Sequence, residues 1–161
     1  MMLKRIIKNE RGLTLIELLA VVVILGIISA IAVPSIGGLI DNSKKDAHVA
    51  NAQQMINAAK IAVTADKSLI PDGSKPVKIE LKKLESNGYL EKVKDPDGGT
   101  YNKTDSYVMI SNDNNKLSYS VKLINDKRGV QNDNGEAVNE NKLDRKQVRN
   151  NSSQNPENNS L

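Results

Sequence analysis

The feature that most constrains this chain is the run from Leu13 to Val33, LTLIELLAVVVILGIISAIAV. It contains no Lys, Arg, Asn, Asp or Pro and a single charge, Glu17. As a helix, 21 residues span about 31 Å, close to the ~30 Å hydrocarbon core of a bilayer. A helix apolar on every side needs either lipid or a large surrounding protein, and 161 residues cannot supply the latter. A membrane-inserted segment is the reading that survives.

Charge placement agrees. The formal net charge of +4 invites a nucleic-acid or membrane-surface reading. Lys4, Arg5, Lys8 and Arg11 against Glu10 put +3 into the first twelve residues, directly before the apolar run. A basic head before an apolar segment targets a chain to a membrane and fixes its orientation. Farther on, lysines are interleaved with acids, and four tyrosines are the only aromatic residues. That pattern does not make a nucleic-acid footprint. With no cysteine, disulfides, thiolate metal sites and Cys nucleophiles are excluded.

After Pro34 the pattern becomes amphipathic. Ile36, Leu39, Ile40, Ala47, Ala50, Met55, Ile56, Ala59 and Val63 recur at three- and four-residue spacings, with Asp41, Lys44, Lys45, Asp46, Gln53 and Lys60 between them. One helix of roughly 50 residues is predicted, bent rather than ended by Pro34 and weakened by Gly37 and Gly38. Residues 69–76 read as a turn, and 79–86 as a short helix closed by Asn87 and Gly88. The stretch 95–99, DPDGG, reads as a tight turn. Residues 106–110 and 117–124 alternate like half-buried strands joined by a loop over 111–116. The fold class is therefore α+β, a long N-terminal helix whose amphipathic half packs on a small antiparallel sheet. Residues 125–161 carry ten asparagines and balanced charge, and are expected to be a disordered polar tail. The expected divisions are 1–12, 13–34, 35–124 and 125–161.

Chemistry concentrates at the junction Lys8-Asn9-Glu10-Arg11-Gly12-Leu13-Thr14-Leu15-Ile16-Glu17. A carboxylate inside an apolar span is costly and is usually paired or functional. Cleavage after Gly12 would free an α-amino group on Leu13, a cationic partner for Glu17 of a neighbouring molecule. The bland alternative is that Glu17 snorkels to the near interface. Ala30-Ile31-Ala32 also fits an ordinary signal-peptidase site that would release a domain starting at Val33, but the apolar run exceeds the usual ~7–15 residues of such a signal.

These residues resemble the N-terminus of the type IV pilin superfamily, which includes pilins and the pseudopilins of type II secretion and competence systems. The resemblance implies a leader removed after Gly12 by a prepilin peptidase that also methylates the new N-terminus at Leu13. It implies assembly roles for Thr14 and Glu17, and helix-loosening roles for Gly26 and Pro34. Leu13 replaces the family's usual Phe. Residues 81–90, LKKLESNGYL, are similar to the short helix and Gly-Tyr turn of small Gram-positive competence pseudopilins. Asp95-Pro96-x-Gly98-x-x-Tyr101 is similar to a segment of major secretion pseudopilins.

The implied partners are prepilin peptidase, other pilin subunits, and indirectly an assembly ATPase and an inner-membrane platform protein. The implied location is the cytoplasmic membrane with the C-terminus outside, then a surface filament. A membrane-anchored binding protein that does not polymerise is the alternative. No catalytic constellation, cofactor or resident metal is predicted. His48, the single histidine, reads as a solvated surface residue; Asp95, Asp97 and Asp113 are the candidate oxygen ligands for calcium, against ordinary Asx turns. The Asn102-Lys103-Thr104 sequon reads as chance.

Overall fold

The computed structural model describes residues 14–72 and 75–151. The first element, α1, runs Leu15–Ala65 without interruption, 51 residues with Pro34 inside it. Leucine, isoleucine, valine and alanine dominate its first half, and alanine with long polar side chains its second. The one interior proline does not end it. The chain divides into two compact units, one running to Ile40 and one beginning at Asp41.

In the first unit the large apolar side chains face outward. Leu15 is 86% exposed and Ile31 72%, and Leu18, Val22, Leu25, Ile28 and Leu39 are likewise exposed. The helix is long and apolar enough to cross a membrane.

The second unit is a head with its own core. On α1 the fully or nearly fully buried positions are His48, Ala52, Met55, Ile56, Ala58, Ala59, Ala62 and Val63. Four of these eight are alanine, which lets a helix lie close against what it packs on. The expected apolar stripe is thus corrected at its start: Ile36, Leu39 and Ile40 are exposed, as is Ala50. A 3₁₀ turn, Lys67–Leu69, follows, capped by Asp66, whose carboxylate accepts from the Ser68 amide at 2.9 Å.

Strand β1 (Val77–Glu80) leads directly into α2 (Leu81–Ser86). The short helix is therefore two residues shorter than expected, since Ile79 and Glu80 pair with Val108 and Tyr107 in the sheet. Its C-terminal signal behaves as read: Asn87 is the cap and Gly88 follows at φ +75°. Strands β2 (Tyr107–Asp113) and β3 (Lys116–Ile124) form a hairpin in antiparallel register from Tyr107–Lys122 to Asp113–Lys116. The expected six-residue loop contracts to Asn114-Asn115, both at positive φ, the conformation that a two-residue hairpin turn demands and asparagine tolerates. Val108, Ile110, Tyr119, Val121 and Leu123 alternate into the core with Leu81 and Leu84 of α2.

The expectation of a disordered tail is corrected over residues 125–151. Strands β4 (Arg128–Val130), β5 (Val138–Asn139) and β6 (Val148–Asn150) complete a sheet of order β1-β2-β3-β4-β6, with β5 also pairing on β3. Val130, Val138 and Val148 join the core. The asparagines that gave the tail its disordered look instead build turns. Asn125 Oδ1 accepts the Lys127 and Arg128 amides, each at 2.8 Å, and Asn132 Oδ1 accepts those of Asn134 and Glu136 at 2.9 and 2.8 Å. Gly129 is required by close approach: a Cβ there would lie 2.1 Å from the Leu123 carbonyl oxygen.

Candidate functional site

Gly12 and Leu13, the predicted cleavage junction, lie outside the described residues. The next residues are positioned by the helix end itself. Thr14 stands at the start of α1, and Glu17 in its first turn turns back on it. The Glu17 carboxylate accepts the Thr14 amide at 2.7 Å and the Thr14 hydroxyl at 2.8 Å, while the Glu17 amide donates to Thr14 Oγ1 at 3.4 Å. This is a reciprocal capping box, T-x-x-E, in which two N–H groups that a helix end leaves orphaned are each met by the other residue's side-chain oxygen. Glu17 therefore has donors within its own chain, a possibility that the sequence reading, with its neighbouring amine or interface, did not contain. The signal for it was present in the T-x-x-E spacing before an apolar run. Gly26 and Pro34 both lie within α1, and a Cβ added at Gly26 would meet nothing within 4 Å.

The head carries a second polar constellation. His48 is wholly buried, which corrects the surface assignment; the helix around it looked solvated because its partners lie some fifty residues away. Asn51 Nδ2 donates to the Tyr101 hydroxyl at 3.0 Å, and the Tyr101 hydroxyl is hydrogen-bonded to His48 Nδ1 at 2.7 Å. Nε2 faces a carboxylate, which only accepts, and so donates to Asp97 Oδ2 at 3.0 Å. Arg128 closes the chain: Nε and Nη2 grip the two Asp97 oxygens at 2.8 and 2.7 Å, and Nη1 reaches Asp41 at 2.6 Å. Asn125 Nδ2 donates to both oxygens of buried Asp95 at 3.0 and 2.9 Å.

Electrostatics follow from these contacts. The Arg128 guanidinium, with help from His48 and Asn125, holds the Asp97 carboxyl far below the usual carboxylate range. Hydrogen bonds to Asp97 and Asp41 in turn raise Arg128 above its ordinary value. Burial pushes the Tyr101 phenol well up.

Two chemical readings of this cluster can be tested on its geometry. His48, Asp95 and Asp97 offer donor atoms within 4.8 Å of one another, a spacing compatible with a metal. Yet both Asp97 oxygens are taken by Arg128, and Asp95 is taken by Asn125 and the Asp97 amide, so a cation would have to displace protein donors already in place. Asp113 lies at the exposed end of β2 and is not part of the group. The order Tyr101–His48–Asp97 also has the connectivity of a nucleophile, base and orienting acid. Here the hydroxyl is buried, its phenolate is disfavoured, and it already takes a bond from Asn51. The cluster is a fastening of helix to loop and strand.

Residues 7–33 match the family model described as the prokaryotic N-terminal methylation motif. Over those residues the chain fits a type IV pilin-like pattern. No curated protein and no solved structure matches it.

The match covers Lys8 and Arg11 of the basic head, the predicted cleavage junction, Thr14, Glu17 and Gly26, and ends one residue before Pro34. It supports a chain processed as prepilins are and anchored in the membrane by one apolar helix before assembly. The head lies outside it. His48, Asn125 and Arg128 escaped the sequence reading because their roles depend on contacts between α1, the 95–99 turn and β4. Asp95, Asp97 and Tyr101 were named beforehand, though not as one group, and His48 was named as a surface residue.

Proposed function

We propose that this chain is a structural subunit of a type IV pilus-like or pseudopilus filament. It is cleaved after Gly12 and methylated on Leu13 by a prepilin peptidase, then polymerised through α1. The observation that carries the reading is the exposed aliphatic surface of residues 15–40, most of which lies within the methylation motif. Lipid satisfies that surface before assembly. In a filament, packing the same helices against each other keeps it from water, and the net gain must come from close contact and from polar pairing at Thr14 and Glu17. Gly26 and Pro34 serve as the places where the helix loosens on assembly. Extraction is driven by a separate assembly ATPase acting through an inner-membrane platform protein. The filament serves DNA uptake, protein secretion or adhesion and motility.

One observation favours a different reading, a membrane-anchored binding protein that does not polymerise: the Glu17 carboxylate is already satisfied inside its own chain. Two measurements separate them. The mature chain should begin at methylated Leu13 by mass and N-terminal sequencing; a start at Met1 or Val33 overturns the processing. Glu17→Ala should abolish sheared filaments while leaving membrane insertion intact, and an unchanged filament yield favours the anchor.

A further inference from the structure

The head does not grip its helix evenly. From Asp41 to Ala47 no side chain is buried, and Ala47, half-buried, is the only apolar one among them. Apolar packing starts just beyond, with Val49 against the core and Ala52 fully buried. Charge ties these two turns to other elements. Asp41 meets Arg128 at 2.6 Å, Lys44 meets Asp97 at 3.8 Å, and Asp46 takes both Arg145 Nε and Nη2 at 2.7 and 2.6 Å.

In two of the three pairs the head group is largely buried and the helix group exposed, while in the third Arg145, at 44% exposed, leaves both sides open to solvent. On the head side, Arg128 is 12% exposed and Asp97 9%, and they hold each other in a two-point grip. On the helix side, Asp41, Lys44 and Asp46 are 44, 40 and 54% exposed. Screening by salt acts strongly on exposed charges and weakly on buried ones. Rising ionic strength therefore loosens the helix partners and leaves the Arg128–Asp97–His48 anchor standing. His48, buried between Tyr101 and Asp97, marks where the loosening stops.

We propose that residues 41–47 form a charge-fastened segment that undocks from the head, as a local event, when its ion pairs are screened, while the core beginning at His48 stays folded. The device does not rest on the filament reading; it is a property of the head alone. It gives the head a sub-global opening well below the free energy of full unfolding, with the packed part of α1 as its fixed end.

The absence of native cysteine makes the test direct. Full-length chain in detergent micelles is spin-labelled at Asn42→Cys and Lys116→Cys, and the distance distribution is read by pulsed EPR. A second pair, Gln54→Cys and Lys116→Cys, reports on the packed part of the helix. At low ionic strength both distributions should be narrow. At about 1 M salt, where the screening length falls to ~3 Å, the first should broaden roughly twofold and the second stay narrow. Asp41→Asn with Asp46→Asn, which leaves Arg128 and Asp97 in place, should produce the broadening already at low salt. The proposal fails if neither salt nor the double variant broadens the first pair. It fails equally if both pairs broaden together, because the head is then opening as one unit.

Discussion

The two stretches of α1 obey opposite rules. Over residues 15–40 the large aliphatic side chains are exposed, and none of that unit's described residues covers them. From Ala52 to Val63 half of the buried positions or more are alanine, and the bulk that fills the core comes from Leu81, Leu84, Val108, Ile110, Val121 and Leu123. The first stretch is unfinished and requires an apolar environment from outside the chain. The second is finished, because the sheet and α2 supply what small helix residues leave unfilled. Sequence hydrophobicity alone ranks the first stretch as the better core, yet it is the second that builds one. What separates them is whether the chain itself provides a complementary surface.

That contrast can be broken most severely at the sheet. Gly129→Val places side-chain atoms against the Leu123 carbonyl, with the Cβ alone at 2.1 Å, and backbone must move to admit them. A loss of more than about 3 kcal/mol is expected, enough to unfold the head, while the apolar helix still partitions into micelles. Urea unfolding followed by tyrosine fluorescence, together with micelle association, checks this. A variant head with wild-type stability would mean that β3 and β4 do not approach as described.

Next in size is a paired truncation. Leu84→Ala, at a fully buried position, should cost about 2–5 kcal/mol of head stability, whereas Ile24→Ala, exposed on the other stretch, should leave the head's urea midpoint unchanged. If both changes shifted the midpoint alike, the two stretches would not be energetically separate.

The polar fastening comes third. Arg128→Gln removes the two-point grip on Asp97 and should cost about 2 kcal/mol at neutral pH, less than a fully dry ion pair would. The pH dependence has a definite sign. Asp97 has its carboxyl depressed in the folded head, so its stabilisation is complete above the ordinary carboxyl value of about 3.9 and is lost as pH falls below it. The wild-type head should therefore lose stability steeply on acidification below about pH 4. The Arg128→Gln head should lose less, having less depression to forfeit. Parallel acid profiles in the two proteins would remove Asp97 as the source.

Legibility in the sequence followed the range of the interactions. The long helix, the β2–β3 alternation, the Gly88 cap and the junction at residues 8–17 rest on neighbours within a few positions, and the residues announced them. Residues 125–151 did not announce themselves. Their valines are isolated at positions 130, 138 and 148, each buried by pairing with a distant strand, and their asparagines read as solvating when they in fact hold turns. His48 failed for the same reason: its helix neighbours are polar, and the partners that bury it come from Tyr101 and Asp97. The T-x-x-E box is local and stands in the spacing of Thr14 and Glu17 before an apolar run.

The smallest expected effect tests that box. Removing a hydroxyl cap from a helix start costs about 1 kcal/mol in general. Thr14→Ala leaves the Thr14 amide donor to Glu17 in place and deletes only the hydroxyl, so α1 should fray over its first turn and nowhere else. Amide exchange in micelles should rise several-fold at residues 15–18 and stay level in the head, and Thr14→Ser should restore it. Unchanged exchange in Thr14→Ala would mean that the first turn is held by the surrounding apolar medium, and that the Glu17 carboxylate is freer to seek a partner in another chain than its own helix end suggests.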